Sequence, residues 1–145
     1  MNSLVVLTAL SGILISRPSI SDSDKVYGPP QGAWRVLQIV DGAASARTDN
    51  IMHFAGRQLI VSDGEDKEKF LIVNINPTQG IGTIDIRDKR KRIYRGVFQQ
   101  QGKQLTICVQ FWIEGNAKES VRPASFLEAD RSKMFGPTLY ILEAK

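Results

Sequence analysis

The sequence has very little of the chemistry on which catalytic and metal sites depend. Of its 145 residues, one is a cysteine and one is a histidine, Cys108 and His53. A single cysteine cannot form an internal disulfide, and one cysteine with one histidine cannot supply the ligands of a zinc site. We expect a packed thiol and a surface imidazole in place of a catalytic dyad. The sequence therefore predicts a non-enzymatic protein with no catalytic residues, metal or cofactor.

Other ligand-binding motifs are missing too. The glycines form no series leading into a helix, which a phosphate-cradling loop requires. The acidic residues within 63–68 lack the alternating oxygen ligands of an EF-hand, and we interpret them as a solvated hairpin tip. Patterns with the period of a long helix are absent, and only residues 123–134 could form one or two helical turns after Pro123. These absences favour an all-β fold.

No apolar run is long enough to span a bilayer as an ordinary helix. Residues 4–15 form an apolar run of 12, which is too short, and Ser19-Ile20-Ser21 follows as a small-x-small cleavage pattern. We predict a signal peptide over residues 1–21, a mature chain from Asp22, and a secreted, periplasmic or cell-envelope location without a membrane span after cleavage. Because the leader begins without lysine or arginine, a buried N-terminal strand or an uncleaved anchor is the alternative.

Short β-type segments fill the chain after a linker at residues 22–31, where Gly28-Pro29-Pro30 interrupts regular structure. We predict eight strands: Trp34–Val40, Ile51–Ala55, Gln58–Ser62, Phe70–Ile75, Thr83–Arg87, Arg92–Gln99, Gln104–Trp112 and Leu139–Ala144. Their spacing is typical of antiparallel barrels and sandwiches. With Gly32-Ala33-Trp34 at the first strand, the pattern favours one eight-stranded antiparallel β-barrel domain over residues 32–145.

The hairpin over residues 92–112 predicts which side chains face inward. If Gln101-Gly102 forms a two-residue turn, three pairs lie opposite one another: Phe98 with Leu105, Gly96 with Ile107, and Tyr94 with Val109. These six residues and Phe111 form an apolar face, whereas the other face, which carries Cys108, is more polar. A slip of one residue would mix the two faces, so we assign the apolar face to the interior. Gly96 lies where a closing sheet must bend.

An ordered series of short motifs extends over residues 31–144. In chain order these are Gln31-Gly32-x-Trp34, Phe54-x-Gly56, Asp63-Gly64, Asn76-Pro77, Thr83-Ile84-Asp85, Ile93-Tyr94, the Gly102 hairpin, Leu105-x-x-Cys108 and Arg122-Pro123-x-x-Phe126. The series resembles the lipocalin-like domain family of unknown function that is abundant in planctomycete-type bacteria. The resemblance implies an eight-stranded up-and-down lipocalin-like barrel, often exported. The chain departs from that pattern at strand ends, with Arg92 in place of glycine and Lys103 in place of aspartate.

The resemblance to lipocalins also implies a structural plug formed by Trp34 and Arg122. In that fold a tryptophan at the start of the first strand closes one end of the barrel, and a late arginine lies across its indole. Such a contact contributes about 0.5–2 kcal/mol. The alternative is that Trp34 is ordinary core and Arg122 is solvated.

A run of cations extends from the end of the fifth predicted strand into the sixth. This basic patch comprises Arg87, Lys89, Arg90, Lys91, Arg92 and Arg95. It could contact anionic lipid headgroups, acidic polysaccharide or nucleic acid, but no aromatic residues are interleaved for base stacking, so we expect no nucleic-acid partner. The alternative is a solubilising hairpin turn that protects strand ends from edge pairing.

An eight-stranded barrel is just wide enough to be filled by side chains or to hold one small ligand. The residues predicted to line such a ligand site are Trp34, Tyr94, Phe98, Ile107, Val109 and Phe111, with Tyr94 as the polar group. The first hypothesis is an exported lipocalin-like domain that binds a small apolar or amphipathic ligand. The second is a structural or protein-interaction module of the cell envelope that uses its outer surface and the basic 87–95 hairpin to contact a protein or an anionic surface.

Overall fold

The computed structural model describes residues 28–41, 44–46, 48–127 and 135–145. The predicted signal peptide and most of the predicted linker therefore lie outside the described residues. The described strands are β1 (Gly32–Asp41), β2 (Ala44–Ala46), β3 (Ile51–Ala55), β4 (Gln58–Asp63), β5 (Asp66–Asn76), β6 (Gly82–Arg87), β7 (Ile93–Gln101), β8 (Gln104–Gln110) and β9 (Thr138–Ala144). All eight predicted strands are present, and β2 is an addition that the sequence did not predict.

The strands form a closed antiparallel barrel. Each strand from β3 to β8 pairs with the next one along the chain, and β1 pairs with both β3 and β9. The short β2 extends the ladder on the last residues of β1, where Asp41 lies opposite Ala44. The predicted eight-stranded all-β barrel is confirmed, and its strands follow one another in an up-and-down order.

Two-residue turns with glycine in the first position set the strand register. Gly56, Gly64 and Gly102 have φ angles of 60°, 60° and 57°, whereas the residue after each glycine has no positive φ. This combination is typical of the type II′ hairpin turn, which requires glycine first and fits the twist of the strands. The turn after β7 is accordingly Gly102-Lys103.

The predicted pairing of the 92–112 hairpin was therefore wrong by two residues. Because Gly102 is the first residue of the turn, Phe98 lies opposite Ile107 and Gly96 opposite Val109. A shift of two residues preserves the alternation of faces. The predicted interior side chains consequently still face inward, and Cys108 still faces outward.

One end of the barrel is closed by packed side chains. The N–H of Ala144 donates to the carbonyl of Lys103 (2.8 Å) and that of Lys145 to the carbonyl of Ala33 (3.0 Å), so the start of β1, the end of β9 and the β7–β8 turn meet there. We call this the closed end; the opposite end, with the β4–β5 turn and the loop of residues 88–92, is the open end. The side chains buried toward the closed end include Trp34, Val36, Phe54, Phe98, Leu105 and Leu142.

The segment after β8 crosses the outside of the barrel. The N–H of Ile93 donates to the carbonyl of Lys118, and the N–H of Ser120 donates back to the carbonyl of Ile93. Phe126 packs on an outer cluster that contains the buried Cys108. The predicted helical turns at 123–134 lie largely outside the described residues, which contain no α-helix and no helix long and apolar enough to cross a membrane.

Candidate functional site

An internal cavity lies toward the open end of the barrel. Its volume is about 280 Å³. The lining comes from seven consecutive strands and the residue after β8: Met52, Leu59, Val61, Glu68, Phe70, Ile84, Ile86, Tyr94, Ile107, Val109, Phe111 and Tyr140. These are alternate residues of their strands, because every second side chain of a strand faces the interior. The result is an apolar chamber above a packed floor.

The cavity contains four of the six residues that the sequence predicted for a ligand site. Tyr94, Ile107, Val109 and Phe111 line it, whereas Trp34 and Phe98 are each 3% exposed in the packed core and do not line it. Phe98 is held against Gly82, where a Cβ would lie 2.8 Å from the ring. The interior of the barrel is thus packed with side chains toward the closed end and hollow toward the open end.

Three aromatic rings form a row on one side of the cavity. The ring centroids of Tyr94 and Phe111 are 5.2 Å apart and tilted by 57°, and those of Phe111 and Tyr140 are 6.3 Å apart and nearly perpendicular. Such offset and edge-to-face pairs stabilise the arrangement beyond the area that they bury. The row joins β7, the end of β8 and β9 at the open end.

The two phenols of this row differ in their hydrogen bonding. The Tyr94 hydroxyl donates to Oδ2 of Asp88 (2.8 Å), while the Tyr140 hydroxyl has no hydrogen-bond partner among the described residues. Burial raises the pKa of Tyr140 to about 12, with further contributions from the charges of Asp41 and Glu68. Burial and the bond to Asp88 raise the pKa of Tyr94 to about 12 as well. Both phenols are therefore neutral at physiological pH, and Tyr140 can offer its hydroxyl to a ligand.

Asp88 organises the loop of residues 88–92 at the open end. Its Oδ1 accepts the N–H groups of Arg90 and Arg92, both at 2.9 Å, and its Oδ2 accepts Nε of Arg92 at 2.9 Å. Burial alone would raise the pKa of Asp88, but the hydrogen bonds from Arg92 and Tyr94 outweigh it and lower the pKa below its ordinary value. The Arg92 guanidinium also lies 5.8 Å from the centroid of the Tyr94 ring, a cation–π contact.

The basic patch divides into paired and unpaired cations. Arg92 is paired with Asp88, and Arg95 with Glu119 across the outer face. The other four members have no ion-pair partner among the described residues: Arg87, Lys89, Arg90 and Lys91. With Lys69, three of these cations surround a shallow outer depression of about 340 Å³. Lys91 lies there with a φ of 65°, a left-handed conformation that favours glycine.

The predicted contact between Trp34 and Arg122 is not formed. Arg122 donates from Nη1 to the carbonyl of Gly96 (2.7 Å), and its Nη2 lies 2.7 Å from Oδ1 of Asp85, an ion pair without an aligned hydrogen bond. These partners lie on β6 and β7 under the segment that crosses outside, so Arg122 fastens that segment to the barrel wall. Trp34 instead donates Nε1–H to the carbonyl of Gln31 (3.0 Å) and fills the closed end by packing.

Sequence reasoning missed two polar groups of the cavity, Glu68 and Tyr140. Glu68 was assigned to a hairpin tip, although alternation from Phe70 places it on the interior face of β5. Tyr140 is followed by Ile141, so both faces of β9 look apolar at that point and the pattern gives no direction. Glu68 was therefore detectable from the sequence, and Tyr140 was not.

Comparisons with known proteins found no matching family model, no matching curated protein and no matching solved structure. The barrel itself is established by its strand pairing. Its cavity, its aromatic row and its basic surface are consequently the features on which a function must be argued.

Proposed function

We propose that this protein is an exported, non-enzymatic, lipocalin-like domain that binds one small apolar or amphipathic molecule in the cavity at the open end. The observation that carries the proposal is the chamber of about 280 Å³ with a mainly apolar lining. An apolar cavity of about 150 Å³ is enough to hold benzene. Pockets for drug-sized ligands have volumes of roughly 300–1,000 Å³, so the expected ligand is larger than benzene and smaller than a drug.

The two ends of the chamber suggest how the ligand is oriented. The packed residues at the closed end, among them Phe98 and Leu142, leave the open end as the route of access. Glu68 and the Tyr140 hydroxyl provide the polar groups near that end, while Ile84 and Ile107 contribute to the apolar wall. An amphipathic ligand would therefore insert its apolar part first and gain affinity mainly from desolvation.

Two observations support the lipocalin-like and exported parts of the proposal. The eight-stranded up-and-down order with a buried tryptophan at the start of β1 agrees with what the resemblance implies. The apolar run at residues 4–15 and the small-x-small triplet that follows it support export. Sequencing the N-terminus of the exported protein should give Asp22, and a protein that starts at Met1 would refute cleavage.

The binding proposal is tested by filling the cavity. Val61 lines it, so Val61→Phe should abolish the fluorescence response of an environment-sensitive apolar dye that the unmodified protein binds. Val121→Phe adds the same ring at a position that is 82% exposed and should leave dye binding unchanged. Solvent extraction of natively purified protein, followed by mass spectrometry, should recover a small molecule. Dye binding that survives Val61→Phe would overturn the assignment of the site.

A second candidate function is supported by the unpaired part of the basic patch. Exposed Lys89, Arg90 and Lys91 could attach the barrel to an anionic surface or an acidic envelope protein. Co-sedimentation with vesicles of anionic phospholipid should then fall with salt and with the pair Arg90→Gln and Lys91→Gln. The pair Lys103→Gln and Lys118→Gln removes the same charge elsewhere and is the control. An equal loss of vesicle binding in both double variants would indicate that net charge alone drives the binding.

A further inference from the structure

We infer that the molecule held by the cavity is a cationic amphiphile, with a protonated amine on a compact apolar body. The inference rests on the proposed function and adds the chemistry of the head group. Among the described residues, Glu68 is the one charged side chain that lines the cavity. It is exposed, and although the charge of Arg92 acts on it, no cation among the described residues forms an ion pair with it. Its carboxylate is therefore available to a ligand at the open end.

The aromatic row, which lines the same cavity as Glu68, suits a cation. The faces of tyrosine and phenylalanine rings attract ammonium and guanidinium groups within about 6 Å. Arg92 already makes such a cation–π contact at the first ring of the row, because its guanidinium lies 5.8 Å from the Tyr94 centroid. The charge of Arg92 is neutralised by Asp88. Phe111 and Tyr140 continue the row into the cavity. A ligand amine could therefore contact an aromatic ring and the Glu68 carboxylate together.

Strand register adds further negative charge around the open end. Residues directly opposite in an antiparallel pair share a face. Val61 is opposite Glu68 and Asp63 is opposite Asp66, so both aspartates occupy interior-facing register positions. Asp41 is opposite Thr138, which shares the face of Tyr140 by the alternation of β9.

The cations of the same strands lie on the other face. Lys67 and Lys69 alternate with Glu68 along β5, and Lys69 with Arg87 lines the outer depression. Burial is the main cause of the raised pKa of Tyr140, and the charges of Asp41 and Glu68 raise it further, as negative charge on the cavity side of the open end does. A ligand carboxylate would meet this negative charge without a free cation among the lining residues, whereas an amine would be attracted.

The experiment compares three ligands with the same chain and different head groups. Nonylamine, nonanol and nonanoate are titrated against the bound apolar dye at pH 7. We expect the amine to bind about fivefold to tenfold more tightly than the alcohol, as for a partly desolvated cation beside a carboxylate and an aromatic ring, and the carboxylate to bind most weakly. Added salt should narrow the difference.

Variants at Glu68 separate the head-group preference from binding itself. Glu68→Gln should bring the amine and the alcohol to similar affinities, because the amine loses its partner carboxylate. Glu65→Gln, in the turn at the same end, removes the same charge outside the lining and should keep the preference. If all three ligands bind the unmodified protein equally, the cationic head group is wrong and the apolar site stands. If none displaces the dye, the proposed function fails as well.

Discussion

Replacing Lys91 by glycine should stabilise the protein. Lys91 is an exposed residue with a φ of 65°, and this left-handed conformation costs a residue with a Cβ about 1–2 kcal/mol. Its N–H donates to the carbonyl of Asp88 at 3.0 Å, a bond that glycine keeps. Glycine also increases the entropy of the unfolded chain, which offsets about 0.4–1 kcal/mol. The expected net gain is about 0.5–1 kcal/mol, or about 2–5 °C in Tm.

Two controls distinguish backbone strain from charge. Lys91→Ala removes the same cation and retains the Cβ, so it should give no gain, while Lys91→Asn should fall between alanine and glycine because asparagine tolerates the left-handed region. Urea unfolding at two salt concentrations measures all three variants. If Lys91→Ala stabilises as much as Lys91→Gly, repulsion within the basic patch is the cause and the reasoning from φ is wrong.

Three further predictions concern the barrel wall and its loops. Gly96→Ala should destabilise by about 1–3 kcal/mol, because a Cβ would lie 2.7 Å from the carbonyl oxygen of Cys108; an unchanged urea midpoint would contradict this. Arg122→Met should cost about 2–4 kcal/mol because it leaves the nearly buried Asp85 unpaired, and adding Asp85→Asn should recover part of the loss. The pKa of Asp88 is lowered from 3.8 in the folded protein, so the unfolded chain binds its proton first. The contribution of Asp88 to the free energy of unfolding is therefore complete above about pH 4 and is lost as the pH falls through the lowered pKa. Between about pH 5 and pH 2, the urea midpoint of Asp88→Asn should therefore fall less steeply than that of the unmodified protein.

Local signals in the sequence were sufficient to predict the barrel. A glycine followed by one more residue marks three of the hairpin turns. The alternation of apolar and polar residues on either side of Gly102 identifies the interior face even when the residues of the two strands are paired incorrectly. The register error arose from placing Gly102 second in its turn, although Gly56, placed first in its own turn, shows the rule. Type II′ chemistry applied to both hairpins would have predicted the observed register.

The charged start of β5 also carries part of the site. The turn after β4 is Gly64-Glu65, so β5 begins at Asp66 and includes a charged stretch before Phe70. If that stretch were a solvated hairpin tip, as its charges suggest, Glu68 would not face the interior. Charge alone is a poor guide here, because a strand that ends at an open rim carries charged side chains on both faces.

Contacts between residues distant in the chain could not be predicted. Arg122 meets the carbonyl of Gly96 and the carboxylate of Asp85, and nothing in the local sequence at these three positions indicates the pairing. The resemblance placed Arg122 on Trp34, but the outward orientation of Asp85 offered the guanidinium a carboxylate, which is a stronger partner than an indole face. Non-local polar pairs of this kind depend on how the segment after β8 crosses the wall.

The size of the cavity has a consequence for stability that bears on the proposed binding function. A dry, closed void of 280 Å³ would cost about 7 kcal/mol at ~24 cal/mol per Å³, which is comparable with the whole stability of a small domain. Water at the open end reduces that cost, yet larger side chains would still be favoured at the lining positions if the space had no use. Val61→Phe should therefore raise the Tm of the ligand-free protein by about 2–4 °C while it abolishes dye binding. A variant that loses both stability and binding would show that the space beside Val61 is already filled.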